Sequence, residues 1–156
     1  MIGNADEVIL WIATQPEGKI FEVKEHKKGR SLNANSYAWV LCREIAKATD
    51  STKEDVYKKV IRDVGEFEVI PIKQEAVSKF IKIWQSKGLG WVCDYGPSKL
   101  DGYVNVTAYY GSSIYDTQQM SRLINSLVEE AKILGIVTLD EIKINELLER
   151  YERNEL

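Results

Sequence analysis

Residues 103–110, Tyr-Val-Asn-Val-Thr-Ala-Tyr-Tyr, alternate between two kinds of side chain. On an extended strand, Val104, Val106, Ala108 and Tyr110 share one face, and Tyr103, Asn105, Thr107 and Tyr109 share the other. A strand with one apolar face has to cover it. Most of the apolar residues elsewhere recur at helical spacing, so helices are the expected cover.

Five helical patterns are readable. From about Ser31 to Ala48, Ala34, Ala38, Leu41, Ile45 and Ala48 form one face, with Ser31 as the expected N-cap. Thr52, with Asp55 three residues on, caps a helix lined by Val56, Val60 and Val64 and stopped at Gly65. Residues 73–87 carry Val77, Phe80, Ile81 and Trp84, with Gly88 at the end. Residues 117–134 place Met120, Leu123, Leu127, Ala131 and Leu134 inward. Thr138-x-x-Glu141 reads as a capping box that opens an acidic helix to about Glu152, with Leu139, Ile142, Leu147, Leu148 and Tyr151 as a weaker stripe.

Strand patterns fill the gaps. Residues 8–14 and 19–25 read as a hairpin about Pro16-Glu17-Gly18. Residues 66–72 are a short extended piece in which Pro71 marks an edge or an end. Residues 91–95 and 103–110 form a second hairpin across a loop rich in turn residues. The expected fold class is α+β: two β-hairpins forming a small antiparallel sheet packed with about five helices, in a single domain of residues 1–156. A chain of this length buries about two thirds of its unfolded surface and needs no metal or disulfide to fold.

Composition narrows the chemistry. His26 is the only histidine, which excludes histidine-rich metal sites and makes a Ser-His-Asp triad improbable. Cys42 and Cys93 sit in apolar runs and read as free buried thiols of a reducing compartment. Gly88-Leu89-Gly90 lacks the Gly-Lys-Ser/Thr of a phosphate loop. Asp94, Asp101 and Asp116 show no metal-binding spacing, and Asp116 reads as a helix cap. No cofactor is expected. No apolar run reaches the length of a membrane span, and the acidic opening MIGNADE is unlike a secretory leader, so a cytoplasmic protein without a membrane partner is expected.

The net charge of −3 is uneven: residues 136–156 alone carry −3, while residues 24–30 carry +3. Lys24, Lys27, Lys28 and Arg30 lead directly into Ser31, Asn33 and Asn35 at a helix start, where free N–H groups favour an anion. These residues fit phosphate contacts. They equally fit a solvated loop in which Ser31 and Asn33 compete to cap the helix. Tyr109, on the polar strand face it shares with Tyr103, is the best candidate for stacking on an unpaired base; half-buried tyrosines are also ordinary on strands.

The segment Lys28-Gly29-Arg30-Ser31-Leu32-Asn33-Ala34-Asn35-Ser36-Tyr37-Ala38-Trp39 resembles the signature of the bacteriophage NinB/Orf recombination proteins. Arg30, Ser31, Leu32, Asn35 and Trp39 match it residue by residue. Residues 111–124 are similar to a segment of small prophage proteins of Gram-positive bacteria, and that wider likeness spans about 28–140. The resemblance implies a non-catalytic homodimer that binds single-stranded or branched DNA and helps a recombinase or single-strand-binding protein.

With this resemblance, the expected function is that of a single-stranded DNA-binding mediator of phage recombination. Lys24, Lys27, Lys28 and Arg30 would neutralise phosphates; Ser31, Asn33 and Asn35 would position the strand; Tyr109 would stack. Trp39 is expected to pack its helix onto the sheet, and the last helix to lie at a subunit interface. The alternatives are a metal-dependent phage nuclease using Asp94, Asp101 or Asp116, and a protein-interaction adaptor.

Overall fold

A computed structural model describes residues 3–24 and 33–155, with the side chains of 154 and 155 left aside. The chain divides into two units, residues 1–31 and 32–156.

In the first unit Asn4 caps helix α1 (Ala5–Ala13): its side chain accepts from the Glu7 N–H, and the Glu7 carboxylate accepts from the Asn4 N–H. The expected N-terminal hairpin is therefore corrected. Residues 8–13 are helical, and residues 19–24 form no strand. Short apolar runs do not separate strand from helix by periodicity, and here the capping box decides. Trp11 meets Phe21 edge to face at 5.5 Å between centroids.

In the second unit five helices and three strands follow: α2 (Ala34–Thr49), α3 (Lys53–Val64), β1 (Phe67–Lys73), α4 (Val77–Gln85), β2 (Cys93–Pro97), β3 (Tyr103–Tyr109), α5 (Thr117–Ile133) and α6 (Glu141–Glu155). The fold is α+β. All five helices expected from the sequence are present, as are the second hairpin and the extended piece containing Pro71. The strands form one antiparallel sheet in the order β1-β3-β2, so the alternating segment is its centre. Pro71 stands on an edge strand, where its missing N–H costs no ladder bond.

The main core is helical. Leu41 and Ile45 of α2, Val60 and Ile61 of α3, and Leu123, Ile124 and Leu127 of α5 are all but fully buried. Each such side chain contributes about 1.5–3 kcal/mol of burial. A second, smaller core lies between α4 and the sheet, built on Trp84, Cys93, Val106 and Ala108. Tyr110 packs against both cores. Among the described residues no helix is long and apolar enough to cross a membrane.

Three cap and packing expectations change. The N-cap of α2 is Asn33, not Ser31: its side-chain oxygen accepts from the Ser36 N–H at 2.8 Å, and the Ser36 hydroxyl accepts from the Asn33 N–H at 2.9 Å. Helix α6 starts at Glu141, with Asp140 accepting from the Lys143 N–H at 2.9 Å, so Thr138 caps nothing. Helix α6 also packs within its own chain rather than lacking a surface to cover it. Ile144, Leu147 and Leu148 are buried in the main core, while Ile142, expected inward, is 72% exposed. The Ile144 position makes the apolar stripe continuous where the sequence reading had left a gap.

Candidate nucleic-acid interface

The register defines two faces of the sheet. Phe67 lies opposite Tyr109, Val69 opposite Thr107, Pro71 opposite Asn105 and Lys73 opposite Tyr103, while Asp94 and Gly96 of β2 flank Thr107 and Asn105. Directly opposed residues share a face, so these ten occupy the side away from the buried Val106 and Ala108. Phe67 and Val69 are each 54% exposed, and Tyr103 is exposed as well. The alternation read from the sequence is therefore observed: its polar and aromatic set forms an open sheet face.

Aromatic rings stand at both ends of this face. Tyr103 lies at the start of β3. Tyr109 lies at its end, 5.5 Å from the Phe67 ring at an interplanar angle of 49°. Tyr109 is half-buried and packs against the main core, and the indole N–H of Trp84 donates to its backbone carbonyl at 2.8 Å. Burial pushes its phenol pKa up; the carboxylates of Asp94 and Asp63 add to this and the Arg62 guanidinium opposes it. The Arg62 Nε–H donates to both Asp94 oxygens at 3.2 and 3.1 Å. Tyr109 is thus an anchored ring with one side toward the open face, not a free surface residue.

Lys24 pairs with Glu22 at 2.9 Å, both about three quarters exposed, so its charge is already matched. Lys27, Lys28, Arg30 and Ser31 lie outside the described residues. The side-chain oxygen of Asn33 is taken by its capping bond. Asn35 is exposed in the first turn of α2. Trp39 does not pack α2 onto the sheet: its ring lies on Tyr57 of α3, at 4.6 Å and 31°. Asp116 caps α5 as expected, accepting from the Gln119 N–H at 2.8 Å. Among the described residues no three His, Cys, Asp or Glu side chains gather as metal ligands would.

A cleft of about 470 Å³ escaped the sequence reading. Asn35, Trp39, Tyr57, Trp91 and the two glycine segments 88–90 and 111–113 line it. The Tyr57 hydroxyl lies 2.5 Å from the Ser112 hydroxyl and accepts from the Ser112 N–H at 3.2 Å. Gly90 and Gly111 are required here for close approach. A Cβ on Gly90 would sit 2.6 Å from the Tyr57 oxygen, and one on Gly111 would sit 2.5 Å from the Trp91 indole nitrogen. Gly88-Leu89-Gly90 is accordingly a packing loop. Lys87 at the rim lies 4.6 Å from the Trp84 ring centroid and 5.0 Å from that of Trp91. The visible signal was the pair of glycine-rich segments beside aromatic residues, but their meeting depends on tertiary structure.

No protein-family model, curated protein or solved structure matches this chain.

Proposed function

We propose that this chain binds single-stranded DNA without catalysing a reaction on it, as a mediator of phage recombination. The observation that carries this reading is the open sheet face, where Phe67, Tyr103 and Tyr109 flank the polar Asn105 and Thr107. Exposed rings on a strand surface accept unpaired bases, at about 1–3 kcal/mol for each base stacked. Duplex bases are already stacked on each other and gain nothing from such a surface. The match of Arg30, Ser31, Leu32, Asn35 and Trp39 to the NinB/Orf signature supports the same reading, and a homodimer belongs to it.

The nuclease alternative has less to draw on. Asp94 is held by Arg62, and Asp116 is engaged as a cap. Titrating labelled single-stranded, branched and duplex DNA, with and without Mg²⁺ or Mn²⁺, tests the proposal. Preferential binding of the single strand, with the DNA left intact, supports it. Metal-dependent cleavage would favour the nuclease, and no binding at low salt would favour the adaptor.

A further inference from the structure

The cleft is a second candidate surface, on a different part of the same unit from the open sheet face. We propose that it holds one nucleotide, with the aromatic base against Trp39 and Trp91 and the phosphate at Lys87. For a nucleotide within a bound strand, this rests on the single-strand reading above.

Three features suit such an occupant. The first is shape and wall chemistry. A volume of about 470 Å³ lies in the range of small-molecule pockets, which are mostly apolar with a few directed polar groups. The Trp39 ring is set by its contact with Tyr57, and the Trp91 ring by edge contacts to Trp84 and Tyr110 at 5.2 and 5.6 Å. Flat, fixed rings favour a flat ligand, because little side-chain freedom is lost on binding.

The second is unused hydrogen-bonding capacity. The side-chain amide of Asn35 and the indole N–H groups of Trp39 and Trp91 have no hydrogen-bond partner among the described residues; Asn35 is an exposed residue, and neither indole nitrogen is sealed from solvent. An amide supplies both a donor and an acceptor, and an indole supplies a donor. Base edges present the complementary carbonyls, ring nitrogens and amino groups.

The third is charge. Lys87 has no ion-pair partner among the described residues, and its ammonium group lies over the Trp84 and Trp91 rings. A cation held at the edge of an aromatic cleft matches a phosphate attached to a base inside it.

The experiment uses the full chain and two probes. A fluorescein-labelled oligothymidylate carrying one 5-iodo-deoxyuridine is bound, irradiated, and the cross-linked peptides are mapped. In parallel, each of the four free nucleoside monophosphates is titrated while tryptophan fluorescence is followed. Cross-links to Trp39 or Trp91 are expected. Asn35→Ala should weaken binding about tenfold, and Lys87→Ala should also reduce the log–log salt slope by about 0.7. Both substitutions are at exposed positions, and circular dichroism verifies folding. Oligonucleotide binding with cross-links confined to Phe67, Tyr103 or Tyr109 would overturn the cleft proposal and leave strand binding intact. Saturable quenching by a monophosphate, lost in Lys87→Ala, without oligonucleotide binding would uphold the cleft as a nucleotide site and overturn the strand reading. Binding of neither probe would overturn both.

Discussion

The Tyr57 hydroxyl of α3 and the Ser112 hydroxyl, in the turn after β3, lie 2.5 Å apart across 55 residues of chain. This bond ties the helical layer to the end of the central strand. Ser112 is the one buried polar residue among the described residues, and its backbone N–H also donates to Tyr57. Tyr57→Phe leaves both groups without that partner and should cost about 1–3 kcal/mol. A urea melt of Tyr57→Phe beside wild type measures it. An unchanged midpoint would mean that solvent replaces the phenol at no cost.

Tyr109 should show two effects at once. Its ring is packed against the main core and also faces the open sheet surface. Tyr109→Ala should lose stability, by less than the roughly 3–5 kcal/mol of a fully buried aromatic, and single-strand affinity as well. Tyr109→Phe keeps the ring and should preserve most of both. Parallel urea melts and binding titrations test this. Loss of stability without loss of affinity in the folded fraction would leave Tyr109 a purely structural residue.

The chain should lose stability in alkali at a defined point. Burial, with the Glu130 carboxylate adding, pushes the Cys42 thiol from its ordinary 9.0 up to about 12. Burial pushes the Tyr115 phenol from 10.0 to about 12; a hydrogen bond from the Glu66 backbone opposes this, and the charges of Tyr57 and Glu66 add to it. Both groups are neutral in the folded chain at pH values where the unfolded chain ionises them. Their contribution is complete below about pH 9 and is lost as pH rises from there through the folded values, by at most about 1.4 kcal/mol per group for each pH unit. Urea midpoints at pH 7, 9.5 and 11 should fall in that order. Burial, with the Asp94 carboxylate adding, also raises the Cys93 thiol from the same ordinary value, so Cys42→Ala should reduce but not abolish the decline between about pH 9 and 10 and leave the part that begins near pH 10.

Residues 24–30 carry a charge of +3, which should appear in the salt dependence. Single strands give a log–log slope of about −0.7 per phosphate contacted, so this basic segment should contribute roughly −2 to −3. Replacing Lys27, Lys28 and Arg30 together by Ala should flatten the slope and weaken binding to all sequences alike. Wild-type binding by the triple variant would remove these three residues from the DNA contacts.

Assembly is tested separately. The residues Ile133, Val137 and Ile142 near the junction of α5 and α6 are 85%, 94% and 72% exposed. A homodimer using this region would dissociate in Ile142→Glu, read by sedimentation equilibrium at micromolar concentration. A wild-type monomer under those conditions would contradict the dimer.

Local patterns were legible where one signal dominated. The alternation of residues 103–110 gave the central strand and its two faces, and Thr52 and Asp116 gave helix starts that the structure bears out. Reading failed where two local signals competed. The run from Val8 to Leu10 and on through Trp11 to Ile12 is apolar enough for a strand, but Asn4 and Glu7 set a helix before it. Ser31 and Asn33 were both able to cap α2, and only the reciprocal bonds with Ser36 separate them. Thr138 lost to Asp140 in the same way, because capping depends on where the backbone turns rather than on residue type alone. The cleft was not legible at all. Its walls come from α2, α3, α5, α6 and two loops, spread from Asn35 to Tyr151, and no single segment carries its signature.

The most direct test of strand binding by the open sheet face is fluorescence anisotropy with labelled oligothymidylate at low salt, comparing wild type with the Phe67→Ala, Tyr103→Ala double variant. Both positions are exposed, so the variant should fold as wild type does. Wild type should saturate, and duplex DNA should compete poorly. The double variant should bind at least about thirtyfold more weakly, because two stacking contacts of about 1 kcal/mol or more each are gone. Absence of wild-type binding, or equal affinity of the double variant, would contradict the assignment.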